Sequence, residues 1–97
     1  MNKRVTAISA AYTALLRDDV IQADMSGGAY TVTLPTVGLL KQKRFEIKDS
    51  GSAGTNNITV SGEGSELIDG SASYLISTDK ASVAFTPNQA RTAWNVS

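Results

Sequence analysis

The chain has 97 residues, room for one small domain, and nine basic residues balance nine acidic ones for a formal charge of zero. That balance supplies no basic face for nucleic acid or an anionic membrane. With neither Cys nor His, a disulfide framework, a thiolate zinc site and an imidazole base are all excluded.

No apolar run reaches the roughly 20 residues a membrane-spanning helix needs. Ser, Thr, Asn and Gly together make up 34 of the 97 residues, and 12 of the apolar residues are Ala. Large apolar side chains are therefore few for the length. A chain so composed is expected to bury further surface against copies of itself.

The N-terminus begins with Lys3 and Arg4, and Val5-Thr6-Ala7-Ile8-Ser9 then alternates apolar with polar. Thr6, Ser9 and Thr13 interrupt the apolar run and Arg17-Asp18-Asp19 follows it, so no secretory signal is expected. Tyr12, Ala14 and Leu16 alternate, as do Val20, Gln22 and Asp24. Residues 1–24 are expected to be an N-terminal arm or short strands, although the Ala-rich stretch 7–16 equally suits a helix.

Period two dominates residues 25–97, the expected β-rich core module. Tyr30-Thr31-Val32-Thr33-Leu34 sets large apolar residues against Thr, the signature of a strand with one buried face. Pro35 stops it, because proline cannot donate to a ladder. Residues 36–41 read as a loop. Lys43-Arg44-Phe45-Glu46-Ile47-Lys48 turns Phe45 and Ile47 inward and its charges outward. The runs at 57–61, 73–77, 82–86 and 92–96 repeat the pattern with β-branched and aromatic residues. Clusters rich in Gly, Ser, Asp and Asn separate them as turns at 26–28, 49–55, 62–65, 69–71 and 87–89. The expectation is an all-β single domain of short antiparallel strands: a sandwich, a barrel or a trimeric β-prism-like module. No internal repeat of solenoid length stands out.

Candidate chemistry is thin. Asp18, Asp19, Asp24, Glu46, Glu63, Glu66 and Asp69 are the carboxylates available for paired acid–base work. Glu63, Glu66 and Asp69 lie close together but flank Gly62, Gly64 and Gly70, a setting for turns. Asp49-Ser50-Gly51 and Asp69-Gly70-Ser71 each bring one acid, too few for a calcium loop. The segment from Gly51 to Gly54 lacks the Lys-Ser/Thr of a phosphate cradle and reads as a hairpin loop. Lys41-Gln42-Lys43-Arg44 is followed by Glu46 and Asp49, the pattern of a solvated strand end. Tyr30, Tyr74 and Trp94 fall on inward positions and are expected in the core. Asn57-Ile58-Thr59 and Asn95-Val96-Ser97 match a glycosylation pattern and read as polar residues at strand edges. No catalytic, cofactor or metal site is expected.

The stretch Gly27-Gly28-Ala29-Tyr30-Thr31-Val32-Thr33-Leu34-Pro35 resembles a segment of the small β-rich modules found in tailed-phage virion proteins. In those modules a strand like Lys43-Arg44-Phe45-Glu46-Ile47-Lys48-Asp49 follows. A hairpin like the run from Gly51 to Val60, a turn like Ile68-Asp69-Gly70 and a closing Trp94-Asn95-Val96 complete the order. The resemblance spans about residues 12–97. One departure is plain: the family commonly has Gly in the turn before the closing Trp, where this chain has Pro87-Asn88-Gln89-Ala90-Arg91-Thr92-Ala93.

The resemblance implies a non-enzymatic structural protein of the phage particle, made in the host cytoplasm and carried on the virion surface. Such modules are frequently homotrimeric. The chain begins at its own Met and ends just after the closing strand, which favours a capsid decoration or head-fibre base protein. The alternative is a tail-fibre or baseplate-associated receptor- or glycan-binding module, using loop residues such as Tyr12 and Asn56. The partners implied are the chain itself and the major capsid protein or another virion protein, with no nucleic acid, membrane or cofactor. Val32, Leu34, Phe45, Ile47, Ile58, Val60, Ile76, Val83, Phe85 and Trp94 are the expected core and subunit seam. Lys3, Arg4, Val5 and Ala7 are the expected capsid-contact arm, adding as a strand to a partner.

Overall fold

The computed structural model describes residues 4–15, 17–36, 44–88 and 92–96. Among the described residues nine strands run in order: β1 (Val5–Ile8), β2 (Tyr12–Thr13), β3 (Val20–Ala23), β4 (Tyr30–Thr33), β5 (Phe45–Asp49), β6 (Ile58–Ser61), β7 (Ser73–Ile76), β8 (Ser82–Pro87) and β9 (Trp94–Val96). No helix occurs among the described residues, and the protein is all-β. The strands make a five-stranded sheet, ordered β1-β3-β5-β8-β9, and a four-stranded sheet, ordered β2-β4-β6-β7.

Up to β6 the chain alternates between the two sheets, one strand in each. It therefore winds, and neighbours within a sheet run parallel: β1 with β3, β3 with β5, β2 with β4, β4 with β6. Parallel neighbours need a crossover, and here a strand of the opposite sheet supplies it. From β7 onward the chain doubles back, and β6–β7, β5–β8 and β8–β9 are antiparallel. The expected antiparallel pairing thus holds only for the C-terminal part. Period two gives the buried face of a strand but not the direction of its neighbour, and turn-forming residues serve crossings as well as hairpins. The Gly51 to Gly54 loop is one such crossing: it joins β5 to β6 across the two sheets. The windings are also unequal, because Val5 aligns with Val20 and Val20 with Glu46. That inequality leaves no fixed period in the sequence.

Residues 4–24 do not form a separate arm. β1, β2 and β3 are built into the same two sheets as the rest of the chain. The helix alternative is replaced by β1 and β2, with Leu16 outside the described residues. β5 begins at Phe45, and residues 37–43, which include most of the expected loop and Lys41, Gln42 and Lys43, also lie outside them.

The core fills the space between the sheets. One side brings in Ile21, Ile47, Phe45, Phe85 and Trp94, and the other Val32, Val60, Ile58 and Ile76. Phe45 meets Trp94 edge to face at 5.8 Å, and Tyr74 meets Phe85 in the same way at 5.8 Å. Trp94 is wholly buried with no hydrogen-bond partner for its Nε1. Two turns depend on glycine. Asp69 and Gly70 both have positive φ, 50° and 82°, and Ile68 and Ser71 exchange backbone bonds across them, the geometry of a type I′ turn. A Cβ on Gly62 would lie 2.5 Å from the Glu66 carbonyl oxygen, so only glycine allows that approach.

Candidate functional site

The aspartates and Glu46 are held by bonds within the fold. Asp18 follows β2 and has no solvent exposure. It accepts hydrogen bonds from the Thr6 hydroxyl of β1 at 2.6 Å, the Tyr12 hydroxyl of β2 at 2.7 Å and the Leu15 N–H at 2.9 Å. Burial pushes its carboxyl up, but those donors from Thr6, Leu15 and Tyr12, with the charge of Arg17, outweigh it and hold the group below its ordinary range. Burial and the bond to Asp18 push the Tyr12 phenol the other way, up. Asp19 accepts from the Arg4 N–H at 2.8 Å, and Asp24 from the Ser26 N–H at 3.0 Å. These three acids are committed to separate structural bonds.

Asp49, at the end of β5, is likewise unexposed. Its carboxylate accepts from the N–H groups of Gly51, Ser52 and Ala53 in the following turn and of Lys80 before β8, at 2.9–3.3 Å. Burial raises its carboxyl, and the four N–H groups outweigh that and lower it. Lys80 sits at a positive φ of 67° and is fixed on both sides: its Nζ donates to the Ser50 carbonyl, and its own carbonyl accepts from Lys48 Nζ. Glu46 pairs with Arg44 and accepts from the Ser82 hydroxyl. Glu63 and Glu66 share a turn closed by the Glu66 N–H to Glu63 carbonyl bond, and Asp69 accepts from the Val96 N–H. Among the described residues no group of acids is arranged to hold a metal, and no cavity or cleft is present.

The loop residues considered for ligand binding are also engaged. Tyr12 serves Asp18, and the Asn56 side chain donates to the Met25 carbonyl at 2.7 Å. Of the expected core residues, Val83 is partly buried and the other nine are buried, all within one chain's own core. Lys3 lies outside the described residues, while Arg4 precedes β1 and Val5 and Ala7 stand exposed on it.

At the strand edges, backbone groups lack a ladder partner. Two of the four edges are closed or minimal. Residues 67–69 cover β9: Trp94 N–H donates to the Leu67 carbonyl, Asp69 N–H to the Trp94 carbonyl, and Val96 N–H to the Asp69 side chain. β2 is only two residues long.

The other two edges are open. On β1, the Arg4 and Ile8 carbonyls are taken by Val20 and Asp24 N–H groups, so the alternate groups of Val5 and Ala7 face away from β3. β7 is paired only with β6. Neither β1 (Val-Thr-Ala-Ile) nor β7 (Ser-Tyr-Leu-Ile) contains the Lys, Pro or charge that guards an exposed edge. They also carry the two most exposed large apolar side chains of the described chain, Val5 at 57% and Leu75 at 52%. Sequence periodicity could not expose this, since which strand ends a sheet is a property of the topology alone.

The chain matches no protein-family model, and no curated protein is significantly similar to it.

Proposed function

We propose that the protein is a non-enzymatic structural component of a tailed-phage particle, a capsid decoration or head-fibre base protein that self-associates and binds another virion protein. The observation that carries this reading is the pair of unguarded four-residue edges, each bearing an exposed apolar side chain. For a protein acting alone such edges are a hazard; for an assembling one they are the means of assembly. Zero net charge lets identical copies approach without repulsion. A homotrimer repeated over a symmetric shell gains avidity from individually modest contacts.

Light scattering after size exclusion at micromolar concentration provides the first test, followed by co-sedimentation with purified capsids. Three chains of 10.2 kDa give a species of about 31 kDa, which pellets with capsids. A folded monomer that stays in the supernatant overturns the proposal.

A further inference from the structure

We infer that the seam between copies is a head-to-tail strand pairing, with β1 of one copy adding to β7 of the next. The inference rests on the self-association proposed above and names the surfaces that perform it.

The two open edges belong to different sheets and lie at opposite ends of the stack. β1 starts the five-stranded sheet in the first winding, whereas β7 ends the four-stranded sheet beyond the third. Both are four residues long, so one fits the full length of the other. Their sidedness also agrees. On β1, Thr6 and Ile8 face the core side while Val5 and Ala7 face out. On β7, Tyr74 and Ile76 face in, and Ser73 and Leu75 face out. Joined edge to edge, the inward rows continue one another, and Val5 meets Leu75 on the outer face. Apolar pairs of this kind across a strand boundary stabilise sheets.

Pairing unlike edges is a heterologous contact, and such contacts close into a ring when the rotation permits. Every copy in the ring then uses both edges and none is left bare. Pairing like edges, β1 with β1, would instead make a two-fold dimer and leave both β7 strands open. The second copy is favoured as occupant over an unrelated strand because the two edges match in length, in face and in the absence of charge.

The test uses the full chain carrying Val5→Lys or Leu75→Lys, with Leu15→Lys as a control. Leu15 is comparably exposed at 41% but stands on neither edge. Circular dichroism verifies that each variant is folded, and light scattering gives its mass. Val5→Lys and Leu75→Lys are each expected to weaken association on the order of tenfold or more, with Leu15→Lys unchanged. Mixing the two edge variants leaves one intact β1 and one intact β7, so a species of two chains should reappear. If Leu75→Lys alone still forms dimers and mixing restores nothing, the seam is like-to-like and the inference is overturned. If the wild type assembles and neither edge variant differs from it, the inference fails while self-association stands. A monomeric wild type overturns both.

Discussion

Asp18 and Asp49 are both buried carboxylates at connections between the sheets, yet they work on different partners. Asp49 collects backbone N–H groups, three from its own turn and one from Lys80. Asp18 collects two side-chain hydroxyls from strands in opposite sheets, plus one N–H. Asp49 therefore shapes a crossing, whereas Asp18 ties β1 to β2 and closes the first winding. Backbone donors cannot change role, but a hydroxyl can turn and accept instead. The first winding is held by an adaptable tie and the third by a rigid one.

The largest effect comes from removing both charges together. Each carboxyl has its folded pKa held below the unfolded value near 3.9. A group with a depressed folded pKa contributes stability in full above the unfolded pKa and loses it as pH falls toward the folded one. Urea denaturation from pH 7 to pH 2 should show a plateau down to about pH 5 and a steady fall below about pH 4. A stability that is level down to pH 2 would mean that both carboxyls titrate in the folded protein as they do in the unfolded chain.

Asparagine separates the two sites. In Asp49→Asn one oxygen becomes an NH₂ group, which must face an N–H donor that has no alternative. The expected cost is about 2–3 kcal/mol. In Asp18→Asn the NH₂ can face Thr6, whose hydroxyl turns to accept it, while the remaining oxygen keeps Tyr12 and Leu15. That substitution should cost only about 1 kcal/mol. With roughly 4–8 °C per kcal/mol for a domain of this size, melting temperatures distinguish the two. Equal losses would remove the distinction between rigid and adaptable ties.

The same contrast explains what was legible in the sequence. Asp49-Ser50-Gly51 contains its own answer, because an Asp followed by small residues bonds the N–H groups just ahead of it. The inward faces were equally local. Val32 with Leu34, Phe45 with Ile47 and Ile58 with Val60 each declare a buried side through period two alone. Asp18 declares nothing, since Thr6 and Tyr12 reach it only once β1 and β2 have wound around the core. The open edges of β1 and β7 are hidden for the same reason. Val5 and Leu75 resemble any other alternating apolar residue until the strand order puts them at the ends of sheets.

Removing a single hydroxyl probes the first winding most closely. Tyr12→Phe keeps the ring that packs against the core and removes only the hydroxyl. Asp18 then retains Thr6 and Leu15 as donors, and the loss should be about 1.5 kcal/mol, the low end for a bond to a charged group. The acid limb of the stability curve supplies a second readout. Losing a donor to the ionised form brings the folded pKa of Asp18 back toward its unfolded value, so less stability depends on keeping Asp18 charged. The part of the acid loss due to Asp18 should shrink, while the part due to Asp49 is unchanged. In an Asp18→Asn background the same Tyr12→Phe change should cost less, because the hydroxyl then meets a neutral oxygen. Additive losses in that double-mutant cycle would show that the Tyr12 hydroxyl contributes independently of the charge on Asp18, and the charged tie between β1 and β2 would reduce to Thr6 and the Leu15 backbone.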